Sequence, residues 1–503
     1  MVRTRTIAVA LTLTGLVPTL GTCGGSEPLV SPAAETKPER KEPRLEGWHY
    51  VVEIAPSLER ADVRICFDGP PPAWLIPGRR IAAPHAHDVR AADGPALPRK
   101  GRAYDLAGVG EDGCVEYWVD FIGLEEDPET GRAVGRTGDS LMARPSTWLW
   151  RPDMLPSDAD VTLRFSLPEG MNVSVPWPSK EGVRRGDAET VYMLEPTAFH
   201  WLSYTVFGNV AVDRFDRAGA AVELVTLDAE LACPEAGLRA WVTDAVDTVA
   251  LLFDGRFPRD RLQLVVIPVE RGGGTVHFGM AGRGGGPGVC VFMDDAAAAE
   301  ELPGGWTTIH ELLHHGMPFI DEPWMAEGWV SYYTELMRTR AGNRSELEGW
   351  QALADGFARG RRRGGDIPLA ETSETMHETH LYQRVYWGGA AVALLADVQM
   401  RLETDGARGL DDAMKELRRC CGDADHTWAA RDLLEKLDAW YGRPLFTETA
   451  DVVLAQEGFP DLNAALGQLG VLVEGGTVRL DEGSELAPIR RAIMAPRRAN
   501  DGR

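Results

Sequence analysis

Residues 307–335 read TTIHELLHHGMPFIDEPWMAEGWVSYYTE and contain the pattern His-Glu-x-x-His. His310 and His314 are four residues apart, so on a helix both imidazoles project from one face. Two nitrogens on one face suit two corners of a tetrahedral zinc site, and Glu311 beside the first histidine can take a proton from a zinc-bound water. The stretch therefore predicts a catalytic zinc centre, although a pattern this short also arises by chance.

A catalytic zinc site needs a third protein ligand and an open position for water. After a turn with two prolines, the run PWMAEGWVSYYTELMRTRAG predicts a second helix, which carries Glu327 near its start. If the two helices pack together, Glu327 returns to the two histidines and completes a site for one Zn²⁺ per chain. Asp321 and Glu322 in the turn are the alternative ligands, but capping or solvation is the more usual role there.

Other histidines near this pattern have a different expected role. His315 points away from the zinc face, which predicts a position at the surface or behind the ligands. The run HETH, residues 377–380, has histidines three residues apart and no further carboxylate at helical spacing. We interpret it as a solvated loop or helix end.

Composition limits the classes of function. The chain has 503 residues, enough for roughly two to four domains. Its formal net charge of -24 and the lack of long basic runs argue against a nucleic-acid partner, because phosphate binding needs basic patches. The expected partner is instead a peptide or protein substrate of the predicted zinc site.

The N-terminus predicts export. Two arginines, Arg3 and Arg5, precede the apolar run Ile7 to Leu20, and Cys23 follows. Residues 1–23 are therefore predicted to be a signal peptide. The run LGTC resembles a bacterial lipobox, so either lipidation at Cys23 or plain secretion is expected, and a lipid anchor would be the only membrane contact. Residues 24–46, rich in Pro, Glu and Lys, are predicted to be a disordered linker.

Six cysteines remain beyond Cys23, and an exported protein can pair some of them. Cys66 and Cys114 lie in neighbouring strand-like runs and are the first pair to expect. Adjacent Cys420 and Cys421 are not expected to pair, because a disulfide needs a particular separation of its Cα atoms. The spacing matches no zinc finger, so the predicted role of cysteine is structural.

The chain divides into regions of different pattern. Residues 47–215 hold short alternating runs such as HYVVEI, ADVRICF, CVEYWVDF and STWLWR, which predict an antiparallel sandwich or barrel. Residues 216–342 combine a helix (234–253), strands (262–269 and 289–293), a glycine-rich segment and the two helices described above. Residues 343–457 are predicted to be helical, and residues 458–503 have no assignment. The expected fold class is multidomain α+β.

The sequence resembles the gluzincin metallopeptidases, specifically the glycyl aminopeptidase family and its relative, the membrane alanyl aminopeptidase family. HELLH matches their first motif, and WMAEGWVSYYTELMRTRAG is similar to the glycyl aminopeptidase run W-x-x-E-G-F-[TA]-S-Y-Y. The runs VYWGGAAVALLADVQMR and GLDDAMKEL are similar to later segments of that family. The resemblance covers roughly residues 47–460 and implies an N-terminal β-sandwich, a thermolysin-like α/β catalytic domain and a C-terminal helical region.

The resemblance also implies roles for individual residues. It makes His310, His314 and Glu327 the zinc ligands and Glu311 the general base. Tyr386 lies at the tyrosine of the family's Y-x-K-G motif, which implies that its hydroxyl donates a hydrogen bond to the oxyanion of the tetrahedral intermediate.

This sequence departs from the family where a substrate would bind. Aminopeptidases of this type carry a glutamate in a glycine-rich edge segment that holds the substrate's free amine. The best local match is GGTVH, residues 273–277, which places Val276 where that glutamate would be and makes Gly273 and Gly274 candidate substrate-binding residues. The lysine of Y-x-K-G is also absent, since Gly388 stands there. Candidate replacements for the glutamate are Asp294, Asp295 and Glu270.

These patterns predict an exported zinc-dependent metallopeptidase that resembles aminopeptidases. Two alternatives remain open. An endopeptidase or processing protease could use the same zinc chemistry, and the valine at position 276 favours it. An envelope protein could instead keep the fold without catalysis, although the intact ligands and the intact Glu311 argue against that.

Overall fold

The computed structural model describes residues 45–180, 190–195, 203–270, 274–282, 286–422 and 426–496. The predicted signal peptide, the linker up to residue 44 and Gly273 lie outside the described residues. Of the helices in those ranges, none has the length and apolar character needed to cross a membrane.

The strands of the described residues are β1 (Gly47–Ile54), β2 (Arg60–Asp68), β3 (Trp74–Pro77), β4 (Ala86–Ala91), β5 (Arg99–Lys100), β6 (Ala103–Asp105), β7 (Cys114–Asp120), β8 (Val134–Thr137), β9 (Ser140–Ala143), β10 (Trp150–Pro152), β11 (Asp160–Ser166), β12 (Asn172–Ser174), β13 (Val191–Met193), β14 (Thr205–Gly208), β15 (Ala211–Arg217), β16 (Ala220–Thr226), β17 (Arg261–Val269), β18 (Val276–Gly282), β19 (Gly288–Asp294), β20 (Phe319–Ile320), β21 (Thr427–Trp428), β22 (Val471–Glu474) and β23 (Thr477–Leu480).

The α-helices of the same residues are α1 (Phe121–Glu126), α2 (Pro145–Trp148), α3 (Glu235–Ala250), α4 (Trp306–Leu313), α5 (Pro323–Arg340), α6 (Glu346–Arg361), α7 (Leu369–Glu374), α8 (Met376–Thr379), α9 (Tyr382–Glu403), α10 (Leu410–Cys421), α11 (Ala430–Tyr441), α12 (Leu445–Ala455), α13 (Asn463–Leu469) and α14 (Ala487–Met494). Strands therefore dominate the first part of the chain and helices the last, which confirms the mixed α+β class. The predicted domain bounds stay predictions.

The first part of the chain forms three sheets with the strand orders β13-β11-β1-β2-β7-β4, β10-β3-β6-β5 and β12-β14-β9-β8. Their strands alternate between core and solvent: in β7, Val115, Tyr117 and Val119 are buried while their neighbours are more exposed. Two expectations fail here. β1 pairs with β11 in parallel, so this sheet is not purely antiparallel. The run STWLWR forms α2 before β10, because Pro145 opens a helical turn.

Disulfides join two pairs of cysteines. Cys66 and Cys114 face each other in the register of β2 and β7 and form the expected disulfide. The expectation for Cys420 and Cys421 is wrong, because the structure pairs them. They are the last two residues of α10, where the run of intrahelical hydrogen bonds ends, and their Cα atoms are 3.8 Å apart across one peptide bond.

A five-stranded sheet with the order β15-β16-β17-β19-β18 lies beside the predicted zinc helix. Strands β16, β17 and β19 run parallel, and β18 pairs antiparallel with β19 as the last strand of the sheet. The buried run in β17 and the run in β19 confirm the strands predicted for residues 262–269 and 289–293. The expected helix over 234–253 is α3 followed by a 3₁₀ turn.

Helices α5 and α9 pack at backbone contact distance. A Cβ atom added at Gly328 would collide with the backbone of Gly389, and one added at Gly389 would collide with the carbonyl of Trp324. Glycine is therefore required on both helices at this crossing. The predicted helical runs of residues 343–457 include α6, α9, α10 and α11, and Ser345 caps α6 with Glu348 in a capping box.

The C-terminal segment is anchored to the helical core. Arg340 at the end of α5 donates a hydrogen bond from Nε to the carbonyl of Ile493 in α14, over 2.8 Å. Both Ile493 and Met494 are buried in the same hydrophobic core as α5 and α9. Residues 463–494, left unassigned from the sequence, thus add two helices and a hairpin to that core.

Candidate zinc site

Helix α4 supplies the two histidines and the glutamate of the His-Glu-x-x-His pattern. It begins at Trp306 after Gly305 and ends at Leu313, and a 3₁₀ turn continues it through Gly316. Gly305 is the N-cap residue, so no side chain caps the start of this helix. Ile309, Leu312 and Leu313 are fully buried in the core and hold the helix in place.

The three predicted ligands come together. Nε2 of His310 lies 3.1 Å from Oε2 of Glu327, and Nε2 of His314 lies 3.4 Å from the same oxygen. One ligand atom from each residue lies within 4.8 Å of the others. Ligands 2.0–2.1 Å from a tetrahedral zinc ion are about 3.3 Å apart, so this donor set fits zinc.

Neighbouring side chains fix the orientation of His310. The hydroxyl of Thr334 on α5 lies 3.3 Å from Nδ1 of His310 and donates a hydrogen bond to the carbonyl of Val330 over 2.7 Å. The indole of Trp306 stacks on the imidazole with ring centroids 4.3 Å apart. When such contacts lie behind a metal ligand, they determine which of its ring nitrogens faces the metal.

The electrostatics at Glu327 favour its ionised form. Burial raises the pKa of this carboxyl, but the charges and hydrogen bonds of His314 and His310 outweigh burial and hold the pKa well below its usual range. Glu327 is therefore a carboxylate, which is the form that binds a metal.

The alternative ligands in the turn have other positions. Glu322 is the N-cap of α5, and its carboxylate accepts a hydrogen bond of 2.7 Å from the backbone N–H of Ala430. Asp321 is exposed. In the part of the chain that the structure describes, neither belongs to a group of three residues able to hold a metal.

Glu311 lies between α4 and the edge strand β18. Its Oε2 accepts a hydrogen bond of 2.8 Å from the backbone N–H of Ala281. A Cβ atom added at Gly279 would be 2.6 Å from Cγ of Glu311 and 2.9 Å from the methyl of Thr307. Sequence reasoning missed Gly279 and Ala281, because only the packing of strand on helix reveals that a glycine leaves room for this carboxylate.

Tyr386 on α9 is adjacent to the three ligands. Its ring lies parallel to that of His310, with the centroids 6.0 Å apart. Burial and the nearby carboxylates of Glu327 and Glu311 raise the pKa of Tyr386 far above its usual value. The phenol therefore keeps its proton and can act as a hydrogen-bond donor.

The predicted substrate-binding segment forms β18 and the residues before it. Gly274 and Val276 are at its start, and Val276 pairs with Met293 of β19. Among the candidate replacements for the absent glutamate, Asp294 is buried, lies 3.3 Å from Nε2 of His277 and accepts from the N–H of Ala296 over 3.0 Å. Asp295 is half-buried, and Glu270 is exposed.

The remaining histidines are placed as follows. His315 is buried against Phe257, so the surface alternative is wrong, and the position behind the ligands stays a prediction. In the HETH run, His377 lies in the four-residue α8 and His380 ends it in a left-handed conformation, and both are exposed. The expected solvated helix end is confirmed.

Comparisons with known proteins show the fold. No family model and no curated protein match the sequence. An aminopeptidase N family protein from Idiomarina loihiensis is similar in structure, with a TM-score of 0.66 and 18% identity over 85% of this chain and 79% of that chain. An M1 zinc metallopeptidase from Deinococcus radiodurans has a TM-score of 0.52 and 14% identity over 84% of this chain and 96% of that chain.

Yeast LTA4 hydrolase is also similar, with a TM-score of 0.51 and 10% identity over 86% of this chain and 71% of that chain. This chain therefore has the fold of M1 zinc peptidases. The likeness supports the predicted resemblance at the level of fold.

Proposed function

We propose that this protein is an exported zinc metallopeptidase that hydrolyses peptide bonds in the manner of an aminopeptidase. The observation that carries the proposal is the convergence of His310, His314 and Glu327 at tetrahedral spacing, with Glu311 and Tyr386 beside them. Fold likeness to M1 zinc peptidases supports it. The proposal takes residues 47–215 as a β-sandwich, 216–342 as a thermolysin-like catalytic domain and 343–457 as a helical domain.

His310, His314 and Glu327 would hold the zinc ion, which would polarise the scissile carbonyl and acidify the attacking water. Glu311 accepts the proton of that water and delivers it to the leaving amine. The N–H of Ala281 fixes one carboxylate oxygen, which leaves the other for the proton. The Tyr386 hydroxyl donates a hydrogen bond to the negative charge that develops on the carbonyl oxygen.

The test is Glu311→Gln, with zinc content and hydrolysis of a peptide library measured on the same preparation. The variant should keep its zinc, since Glu311 is not a ligand, and should lose hydrolysis. Glu53→Gln, at an exposed position of β1, is the matched control and should behave like wild type. Hydrolysis by Glu311→Gln at the wild-type rate would refute the mechanism. A wild-type protein that binds zinc but cleaves no peptide would favour the non-catalytic alternative.

A second candidate is an endopeptidase with the same zinc site. Val276 favours it, because a valine cannot pair with the ammonium group of a free N-terminus, and the buried Asp294 is already bonded to His277 and Ala296. Matched peptides with free and acetylated N-termini separate the two. Cleavage of the free form alone supports the aminopeptidase, and equal cleavage supports the endopeptidase.

Export and anchoring are part of the same proposal. The arginines and apolar run before Cys23 support a signal peptide, and LGTC supports lipidation. Expression of wild type and Cys23→Ala in a bacterial host, followed by membrane fractionation, tests the anchor. Membrane association of the wild type alone supports a lipoprotein, and release of both supports secretion.

A further inference from the structure

Two arginines of the first sheets reach the edge strand that holds Glu311. Arg144 directly follows β9, and its Nη2 lies 3.3 Å from the sulfur of Met280 in β18. Arg132 precedes β8, and its guanidinium lies 4.3 Å above the ring of Phe278 in the same strand. Phe278 and Met280 flank the Gly279 that makes room for Glu311, and Ala281, whose N–H binds Glu311, follows next in the strand.

Neither guanidinium is in an ion pair within the described ranges, although the chain has 76 acidic residues against 52 lysines and arginines. Arg144 is only 8% exposed, and its Nε is buried without a hydrogen-bond partner among the described residues. The acceptor of its Nη2 is a thioether, which is a weak one. By contrast, Arg136, four residues after Arg132, pairs with Glu125 over 3.2 Å. A buried cation without a counter-charge is costly, so this one indicates a site for an anion.

The two arginines are held in place before any ligand binds. The hydroxyl of Tyr204 donates a hydrogen bond of 2.8 Å to the backbone carbonyl of Arg132. The same ring lies 5.1 Å from the guanidinium of Arg144, within cation–π distance. The buried side chain of Arg144 is preorganised and loses little conformational entropy when an anion arrives.

The geometry of β18 shows how a substrate would meet these arginines. β18 ends its sheet, and an extended peptide can add to such an edge by backbone hydrogen bonds. Side chains alternate between the two faces of a strand. Gly279 faces Glu311, so Phe278 and Met280 mark the opposite face, where the arginines lie. Alternate groups of a bound peptide would point toward them.

We infer that Arg132 and Arg144 form a subsite for a carboxylate of the peptide substrate, so that the enzyme prefers acidic peptides. This inference rests on the proposed function and adds the substrate class to it. The carboxylate can come from an acidic side chain or from a free C-terminus. Val276 stands where the resemblance would place an amine-binding glutamate, so position 276 carries no negative charge that would repel this carboxylate.

The experiment compares peptides that differ only in charge. One series has free N-termini, amidated C-termini and a single Glu at successive positions, each with a Gln twin. A second series compares free and amidated C-termini. The ratio of kcat/KM within each pair is measured for wild type, Arg132→Gln, Arg144→Met and the control Arg164→Gln, which removes an exposed charge from distant β11.

Wild type should prefer the acidic twin by roughly 10- to 100-fold in one series, as expected for a charge-assisted hydrogen bond. The ratio should fall toward one in Arg132→Gln and Arg144→Met and stay unchanged in Arg164→Gln. A preference in the first series identifies a side chain as the source, and one in the second identifies the C-terminus. If Arg144→Met does not fold, the inference is tested by Arg132→Gln alone, because this variant changes an exposed side chain.

Two results would overturn the inference: equal cleavage of both twins in both series, or an acidic preference that survives in both arginine variants. Either leaves hydrolysis, and thus the proposed function, intact. A binding experiment covers the opposite case, in which the proposed function fails but the subsite exists. Calorimetry on Glu311→Gln, which should bind peptides without consuming them, should show tighter binding of the acidic twin. If no peptide is cleaved by wild type, that experiment still tests the subsite.

Discussion

Gly279→Ala should disable catalysis without touching a metal ligand. The added methyl group would lie 2.6 Å from Cγ of Glu311, about 0.8 Å closer than ordinary van der Waals contact, and 2.9 Å from the methyl of Thr307. Thr307 belongs to α4, which is packed into the core, so the side chain of Glu311 must move most. Overpacking of this kind costs roughly 1–3 kcal/mol of folding free energy.

The expected catalytic effect is comparable in free energy with the effect on stability, since 100-fold in rate is about 2.7 kcal/mol. A displacement of about 1 Å at a catalytic group costs roughly 100-fold in rate. The movement also strains the hydrogen bond from Ala281 that orients Glu311. We therefore expect kcat/KM to fall on the order of 100-fold, while zinc content stays at the wild-type level because His310, His314 and Glu327 are not contacted.

The assay is hydrolysis of the best library peptide, with zinc content and thermal unfolding measured in parallel. Gly135→Ala is the matched control, because it makes the same change in a strand, β8, where an added Cβ would have nothing within 4 Å. That control should keep full activity. Equal activities of the two variants would refute the reasoning about Glu311, and loss of zinc from Gly279→Ala would show that the helix, not the base, had moved.

Three further predictions concern other parts of the chain. Tyr386→Phe should lower kcat by roughly 100- to 1000-fold with little change in KM, measured with the same peptide, since the contact of its hydroxyl with the oxyanion is lost. The capping box with Ser345 holds the pKa of Glu348 below its usual value. The ionised form of Glu348 therefore stabilises the fold above about pH 4.5, and this contribution is lost as the pH falls through the lowered pKa. The difference in Tm between wild type and Glu348→Gln should accordingly shrink as the pH is lowered. The Cys66–Cys114 disulfide closes a loop with a sequence separation of 48, so the double serine variant should lose about 2–5 kcal/mol of unfolding free energy in denaturant titration but keep its zinc.

The sequence was sufficient to predict the group of His310, His314 and Glu327. Helical spacing places the two histidines on one face, and a short turn limits where the next helix can lie. The spacing within one segment carried this information, so no distant contact had to be known. The pairing of Cys66 with Cys114, which have a sequence separation of 48, followed instead from their positions in neighbouring strand-like runs.

Contacts between distant segments were not predictable in this way. The roles of Gly279 and Ala281 depend on β18 crossing α4, and nothing in the local sequence indicates which helix a strand will meet. Arg144 gave no signal in the sequence, because a lone arginine between a strand and a proline is ordinary until the absence of a counter-charge in its surroundings is seen. Cys420 and Cys421 were misjudged because general disulfide geometry was applied without regard to where the helix ends.

The glycine contact between α5 and α9 has a consequence for how a substrate would reach the proposed active site. Gly328 directly follows Glu327, and Gly389 lies three residues after Tyr386. The predicted metal ligand and the predicted oxyanion donor therefore belong to one closely packed pair of helices. Any motion that separates them would expose buried backbone on both sides. We therefore expect the proposed active site to open by movement on the side of β18, while Glu327 and Tyr386 keep their relative positions. The edge of β18 would then bring the peptide toward these two residues.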